Sequence, residues 1–167
     1  MQLLAGSHSE LSWLHPSFIE AQGATCPVAF DWYPLSWAKL RPFESVTDQY
    51  SDQGLTFHNA TALAPSNPRF QSDSDPLVLV PTGNRRSIKI VAQTALHQVR
   101  AKIRGAQTVT LTALSTNGHR LAHRCSRTLA PGQGPLPEQL LTVRAAEIGA
   151  VVLYSSRPFT LEQLWIS

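Results

Sequence analysis

The sequence predicts an all-β protein, an antiparallel jelly-roll-like β-sandwich with a short irregular or helical N-terminal segment. Its 167 residues suffice for one domain with a sizeable core, but not for two comfortable ones. Twelve prolines and nine glycines interrupt the chain often, and no amphipathic helical pattern of useful length is present. Val, Thr, Leu and Ile dominate the periodic segments, which is typical of strands.

The chain is expected to divide into an N-terminal covering segment, residues 1–27, and a sandwich domain, residues 28–167. Residues 9–22 carry large apolar side chains on both sides of Pro16. A proline in that place favours a short broken helix or an irregular segment over a strand.

Strands are predicted where apolar and polar residues alternate between turn signals. Gly54 closes a polar run and permits the positive φ of an entry turn before the apolar residues 55–57. Asn117-Gly118 is the strongest hairpin signal in the chain. Further strands are predicted at residues 77–80, 88–90, 99–104, 109–113, 120–128, 140–145, 150–154 and 161–166. In two of them alternate residues are expected to face the core: Val99, Ala101, Ile103, Val109, Leu111 and Ala113.

Four sequence motifs, taken together, resemble those of a known protein family. They are Phe30-Asp31, PFESVTDQYSDQGLTFHNATALAPSNPRF at residues 42–70, VTLTA at 109–113 before the Asn-Gly pair, and PFTLEQL at 158–164. In this order they resemble the β-sandwich domains of bacterial proteins of the PEP-CTERM type, related to galactose-binding-like jelly rolls. The resemblance covers most of the chain from about Phe30 to Ile166. Within the longest motif, Phe57, Leu63 and Phe70 are expected to anchor a loop on the core.

The resemblance also implies a structural calcium ion, with Asp31 and Glu162 as carboxylate ligands. Gln163 stands where the family has a second acid in its closing motif, so the site has lost one charge. Calcium gains affinity from charged oxygen ligands. We therefore expect the domain to fold without a cofactor, with a bound calcium ion as the alternative.

The expected location is cytoplasmic, with export by a less obvious route left open. Members of the family are usually exported and often carry a C-terminal sorting anchor, whereas this chain stops directly after the closing strand. Residues 1–6 lack the basic flank and long apolar run of a signal peptide. No stretch reaches the length of a transmembrane helix.

The two cysteines, Cys26 and Cys125, lie far apart in the sequence. They could form one disulfide, but two thiols spread over a domain are not a disulfide framework. Reduced and buried thiols are the favoured interpretation. No CxxC or paired Cys/His spacing indicates zinc.

Charge is segregated along the chain. No Asp or Glu occurs between residues 76 and 137, where nine Arg and Lys residues fall, while the first 75 residues carry eight acids. Period-two spacing places alternate basic residues of a strand on one face. Five of them are therefore expected to form one exposed basic patch: Arg100, Lys102, Arg104, Arg120 and Arg124.

This patch predicts an anionic partner, which could be a partner protein, the acidic half of a second copy in a homo-oligomer, or a glycan. The alternative is an ordinary solvated sheet face whose cations guard against edge pairing. Arginine outnumbers lysine eleven to three, which suits bidentate recognition of carboxylate or phosphate. Nucleic acid is the least favoured partner, because no aromatics interleave the basic residues.

Trp32, Tyr33 and Trp37 cluster around Pro34 near the start of the predicted sandwich. Exposed aromatic faces with a few polar groups are typical of sugar sites, so these three are candidate sugar contacts. For Trp32 and Trp37, burial as core or cover residues of a loop is the favoured alternative.

No catalytic residues are predicted, and the protein is not expected to be an enzyme. Its six histidines are scattered, and the sequence contains no G-x-S-x-G elbow, P-loop or H-E-x-x-H motif. The favoured hypothesis is a non-catalytic docking or assembly subunit that uses a basic sheet face. The alternative is a carbohydrate-binding module that uses loop aromatics, and a hydrolase would need a spatial constellation that a sequence does not reveal.

Overall fold

The computed structural model describes residues 31–72, 75–127 and 134–167, which form ten β-strands and two short 3-10 helices, Ser51–Gln53 and Pro68–Phe70. The strands are Tyr33–Leu35 (β1), Ser45–Val46 (β2), Leu55–His58 (β3), Ala60–Leu63 (β4), Val78–Pro81 (β5), Ser87–Gly105 (β6), Val109–Leu114 (β7), Arg120–Cys125 (β8), Gln139–Ser155 (β9) and Phe159–Ile166 (β10). The all-β prediction is confirmed.

The strands pair antiparallel in the order β2-β4-β5-β10-β6-β9-β7-β8, with β1 beside β10 and β3 beside β6. Two long strands join the layers of the sandwich. Residues 99–105 of β6 pair with β10, and residues 98–103 pair with residues 139–144 of β9. Nearer its start, residues 89–92 of β6 pair with β3, and residues 87–91 pair with residues 150–154 of β9. Both layers contribute to one core cluster.

Bulges explain why the sequence predicted each long strand as two short ones. The register of β6 against β9 shifts between Val91 and Leu96 and again before Gln98. Even-numbered residues such as Ile88 and Ile90 are buried before the shifts, and odd-numbered residues such as Ile103 after them. An extra residue at a bulge changes which alternate side chains face inward. The shifts therefore keep both halves of β6 directed at the same core.

The predicted core positions are confirmed. All six residues expected to face inward are fully buried: Val99, Ala101, Ile103, Val109, Leu111 and Ala113. The predicted hairpin joins β7 to β8, and Gly118 takes the positive φ of 80° that its turn requires. Of the three predicted loop anchors, Phe57 is fully buried, whereas Leu63 and Phe70 are half-buried.

Three aromatic side chains pack under the first strands. The ring centres of Trp37 and Tyr50 lie 5.6 Å apart at nearly a right angle, and Phe57 contacts both rings. The Tyr50 hydroxyl donates a hydrogen bond to the Ser36 carbonyl at 2.7 Å. Burial raises the pKa of Tyr50 well above its usual range, so the hydroxyl keeps its proton.

The predicted covering segment, residues 1–27, and Cys26 lie outside the described residues, as does Phe30 of the first motif. In the part of the chain that is described, no helix has the length and hydropathy needed to span a bilayer.

The burial of alternate residues of β6 leads to a prediction about stability. Ile103→Ala should lower the free energy of unfolding by about 2–5 kcal/mol, because it opens a cavity in the core. Lys89→Ala, on an exposed position of the same strand, should change it by less than about 0.5 kcal/mol. Urea denaturation measures both, and equal losses would contradict the observed register.

Candidate functional site

The predicted basic patch is not fully exposed where it runs along β6. Arg104 is only 5% exposed, and its guanidinium donates to the Glu162 carboxylate through Nε and to the Leu136 carbonyl through Nη1, the latter at 2.6 Å. Glu162 itself is 1% exposed. The prediction of an exposed Arg104 is therefore wrong, because Arg104 forms a buried ion pair.

A bulge in β10 places Glu162 against these cations. Leu161 pairs with Ile103 and Gln163 pairs with Lys102, which leaves Glu162 as the extra residue without a partner in the ladder. Its carboxylate accepts a hydrogen bond from Ser72 Oγ at 3.4 Å as well as the bond from Arg104. Its backbone carbonyl accepts a hydrogen bond from Trp37 Nε1 at 2.6 Å.

Lys102 also interacts with acidic side chains near the Arg104–Glu162 ion pair. Its Nζ lies 2.7 Å from Glu138 Oε2 and 4.0 Å from Glu162 Oε2, and its side chain is 16% exposed. Glu138 is the first acid after the acid-free stretch of the sequence. Because the Glu138 carboxylate forms an ion pair with Lys102, the prediction that Lys102 is an exposed, unpaired cation is wrong as well.

The two predicted calcium ligands have different surroundings. Asp31 is exposed, whereas the Glu162 carboxylate is engaged by Arg104 and Ser72. Among the described residues, no three His, Cys, Asp or Glu side chains are grouped to hold a metal ion. Folding without a cofactor stays a prediction, and so does its alternative, a calcium ion at this place.

The three candidate sugar contacts do not share one environment. Trp37 is 1% exposed and belongs to the core, which confirms the favoured interpretation for this residue and contradicts its candidate role as a sugar contact. Trp32 is half-buried beneath Arg100, whose guanidinium carbon lies 4.2 Å from the centre of the indole ring. Tyr33 is 64% exposed at the start of β1. A sugar site on Trp32 and Tyr33 stays a prediction.

Three arginines meet in one groove, which we call the basic groove. It has a volume of about 670 Å³ and is lined by residues 122–125 of β8, residues 140–144 of β9, and Arg100 of β6. Its cationic side chains are Arg100, Arg124 and Arg144, and none of its lining residues is acidic. None of the three guanidinium groups forms an ion pair with a carboxylate of the described residues.

The arginines of β8 point to opposite sides. Arg124 pairs with Leu111, and Arg120 pairs with Leu114 after a register shift next to Ala113. Cross-strand partners share a face of the sheet, and β7 buries Leu111 but leaves Leu114 partly exposed. Arg124 therefore lies on the inner face, beside the groove, and Arg120 on the outer face. The prediction of one common face for Arg120 and Arg124 is wrong because of this bulge.

Arg144 was not among the residues that the sequence predicted for the basic patch. It lies outside the acid-free stretch, and it joins Arg100 only through the pairing of β6 with β9. Its Nε donates a hydrogen bond to Oε1 of the buried Gln98 at 3.0 Å. Arg100 is held similarly, by the Trp32 ring and by a 3.4 Å hydrogen bond from its Nε to Thr142 Oγ1.

Cys125 also lines the basic groove. It is an exposed thiol with no disulfide within the described residues, so the expectation that it is buried is wrong. The sulfur lies 3.6 Å from Thr110 Oγ1.

A second groove, which we call the loop groove, lies at the turns around β5 and β10. Its volume is about 700 Å³, and it is lined by residues between 63 and 70, between 80 and 86, and between 156 and 160. Phe70 and several prolines give it an apolar part, and Arg85, Arg86 and Arg157 give it charge. Thr160 is 3% exposed, and its hydroxyl has no hydrogen-bond partner in the described structure.

No family model matches this sequence, and no curated protein matches it. Among solved structures it is similar to a mutant of the family 29 carbohydrate-binding module CBM29-2, with 8% identity over 68% of this chain and 81% of that chain and a TM-score of 0.42. The module CBM29_1 from Piromyces equi gives 7% identity, 68% and 80% coverage, and a TM-score of 0.41. An arabinose-bound α-L-arabinofuranosidase, MgGH51, gives 8% identity, 74% and 25% coverage, and a TM-score of 0.41. At these values no site residue is transferred to this chain.

The buried ion pair makes a second stability prediction. Glu162→Gln should lower the free energy of unfolding by about 3–5 kcal/mol, because it leaves the Arg104 guanidinium buried without a counter-charge. Replacing both partners, with Arg104→Met and Glu162→Leu, should cost clearly less than the sum of the two single changes.

The exposed pair Lys39–Asp52, separated by 3.5 Å, is the matched control. Asp52→Asn should cost at most about 1 kcal/mol. Additive effects at Arg104 and Glu162 in urea denaturation would contradict a coupled buried pair.

Proposed function

We propose that this protein is a non-catalytic binding module that docks an acidic surface of a partner protein in the basic groove. The observation that carries the proposal is that Arg100, Arg124 and Arg144 line one groove without acidic neighbours in its lining. Guanidinium groups suit bidentate recognition of carboxylates. An uncompensated cluster of like charges also attracts an oppositely charged partner over distances of the order of a Debye length.

Two of the three arginines are held in place before any ligand binds. Arg100 rests on Trp32, and Arg144 is tied to the buried Gln98. Holding a long side chain beforehand reduces the conformational entropy lost on binding. Leu141 and Val143 also line the groove, and both side chains are buried. Apolar, water-poor surroundings strengthen charge interactions nearby.

The proposed site keeps Arg100 and Arg124 from the sequence prediction and adds Arg144. Lys102 and Arg104 interact with Glu138 and Glu162 instead. A second copy of this chain is the competing anionic partner, because its acidic half carries exposed residues such as Asp48 and Asp52. Self-association that depends on protein concentration would identify that partner.

Charge reversal tests this proposal. Arg124→Glu should abolish capture of the native partner from cell extract at low salt, because it places an acid in the groove. Arg120→Glu, on the opposite face of the same strand, is the matched control and should leave capture unchanged. Capture by the wild type should weaken with salt, because the Debye length falls from about 10 Å at 0.1 M to about 3 Å at 1 M.

Quantitative mass spectrometry of the captured proteins, with circular dichroism of each variant, gives the readout. Equal recovery by Arg124→Glu and Arg120→Glu would contradict docking in the basic groove.

As a second candidate function we propose carbohydrate binding in the loop groove. Phe70 supplies an aromatic face, and Asn67 and Asn84 supply amide groups in the same lining. A sugar ring packs its apolar face on an aromatic ring and needs hydrogen-bond partners for its hydroxyls. Thr160 also lines this groove, and its buried hydroxyl, which has no partner in the described structure, would gain one by turning toward a bound sugar. The lining contains none of Trp32, Tyr33 and Trp37.

Thr160→Val tests the carbohydrate function, since the two side chains have nearly the same shape. It should abolish retardation of the protein in gels that contain soluble polysaccharides, while stability is unchanged or slightly raised because a buried unpaired hydroxyl is removed. Thr142→Val, in the basic groove, is the control and should retain retardation. No retardation of the wild type on a broad polysaccharide panel would contradict this function.

A further inference from the structure

The basic groove is bordered by two strand edges that pair with no described strand. Residues 139–144 of β9 pair with β6 on one side, whereas β7 pairs only with residues 150–155 of β9. Strand β8 pairs with β7 and ends the sheet. Unpaired backbone N–H and C=O groups along a strand are a template for a further strand.

The residues that line the groove indicate that a ligand in it would lie along the edge of a strand and not on one face of the sheet. Residues 140–144 all line it, and so do residues 122–125. Successive side chains of a strand point to opposite faces, so a ligand above one face meets every second residue. A ligand that meets every residue of a run lies alongside the backbone.

We propose that an extended acidic segment of a partner protein binds in the basic groove by adding a strand to the free edge of β9 at residues 140–144. The inference rests on the proposed docking function and specifies the form of the partner. Added strands of this kind gain affinity from main-chain hydrogen bonds and specificity from alternate side chains.

The side chains along this edge predict the pattern of the segment. On one face of β9 lie Thr142 and Arg144, beside Arg100 of the neighbouring strand. On the other face lie the buried Leu141 and Val143. A strand paired to this edge places its own alternate residues on the same two faces. The segment should therefore alternate acidic and apolar residues, with the acids beside Arg144.

At one end of this edge the Gln139 side chain contacts the segment that follows β8. The Gln139 side chain accepts a hydrogen bond from the Arg127 N–H at 2.7 Å and donates one to the Arg127 carbonyl at 3.2 Å. This side chain lies beside the Arg127 backbone and so occupies the space next to the first residue of the strand. The stretch open to a partner is therefore taken as residues 140–144, and at roughly 3.3 Å per residue these five residues accommodate about 16 Å of extended chain.

Fluorescence anisotropy at low salt, with the full chain and three synthetic peptides, tests the inference. One peptide alternates Glu and Val, one contains the same residues in two blocks, and one is the alternating peptide with N-methylated amides at every second residue. The alternating peptide should bind at least about tenfold more tightly than the other two, a difference of about 1.4 kcal/mol. N-methylation removes hydrogen-bond donors without changing the charge, so it distinguishes main-chain pairing from charge attraction.

Hydrogen exchange of the complex locates the peptide. Edge amides of residues 140–144 should gain protection, while those of residues 150–154, already paired on both sides, should not change. Equal affinities of the three peptides, all lost in Arg124→Glu, would overturn strand addition and leave acidic docking intact. Absence of binding, or affinities that Arg124→Glu does not alter, would overturn both. Peptide-induced protection at another edge would overturn the assignment to β9.

Discussion

The buried ion pair between Arg104 and Glu162 is the constraint on which the surface of this protein depends. It exists because a bulge in β10 leaves Glu162 outside the ladder, directly against β6. A buried carboxylate requires partners, and Arg104 and Ser72 supply them. The same guanidinium binds the Leu136 carbonyl, and the Glu162 carbonyl binds Trp37. The two residues of the ion pair thus connect the core aromatics, β6, β10 and the segment before β9.

This network removes cations from the surface and so determines where positive charge remains. Lys102 and Arg104 are paired with Glu138 and Glu162. Arg100 is held by an aromatic ring and a hydroxyl and Arg144 by an amide, none of which carries a negative charge. The proposed docking of an acidic partner therefore depends on the three arginines that line the basic groove.

The alternation of apolar and polar residues was sufficient to predict the fold class and the core. The same period-two pattern indicates strands and shows which of their residues face inward. Val99, Ala101 and Ile103 are buried as predicted. The prediction of the site failed where bulges shift the register, since a single extra residue reverses the face of every residue after it. Arg120 and Arg124 were separated in this way, and Glu162 was brought to Arg104. Arg144 joins the groove through pairing between distant strands, which spacing along the chain does not reveal.

The most direct test of docking in the basic groove uses its own thiol, because Cys125 is exposed and lines the groove. The measurement is the rate of Cys125 alkylation in a Cys26→Ser variant, with and without the captured native partner at saturation. A bound partner covers the thiol, so the rate should fall several-fold and recover when salt releases the partner. An unchanged rate with the partner fully bound would contradict docking in this groove.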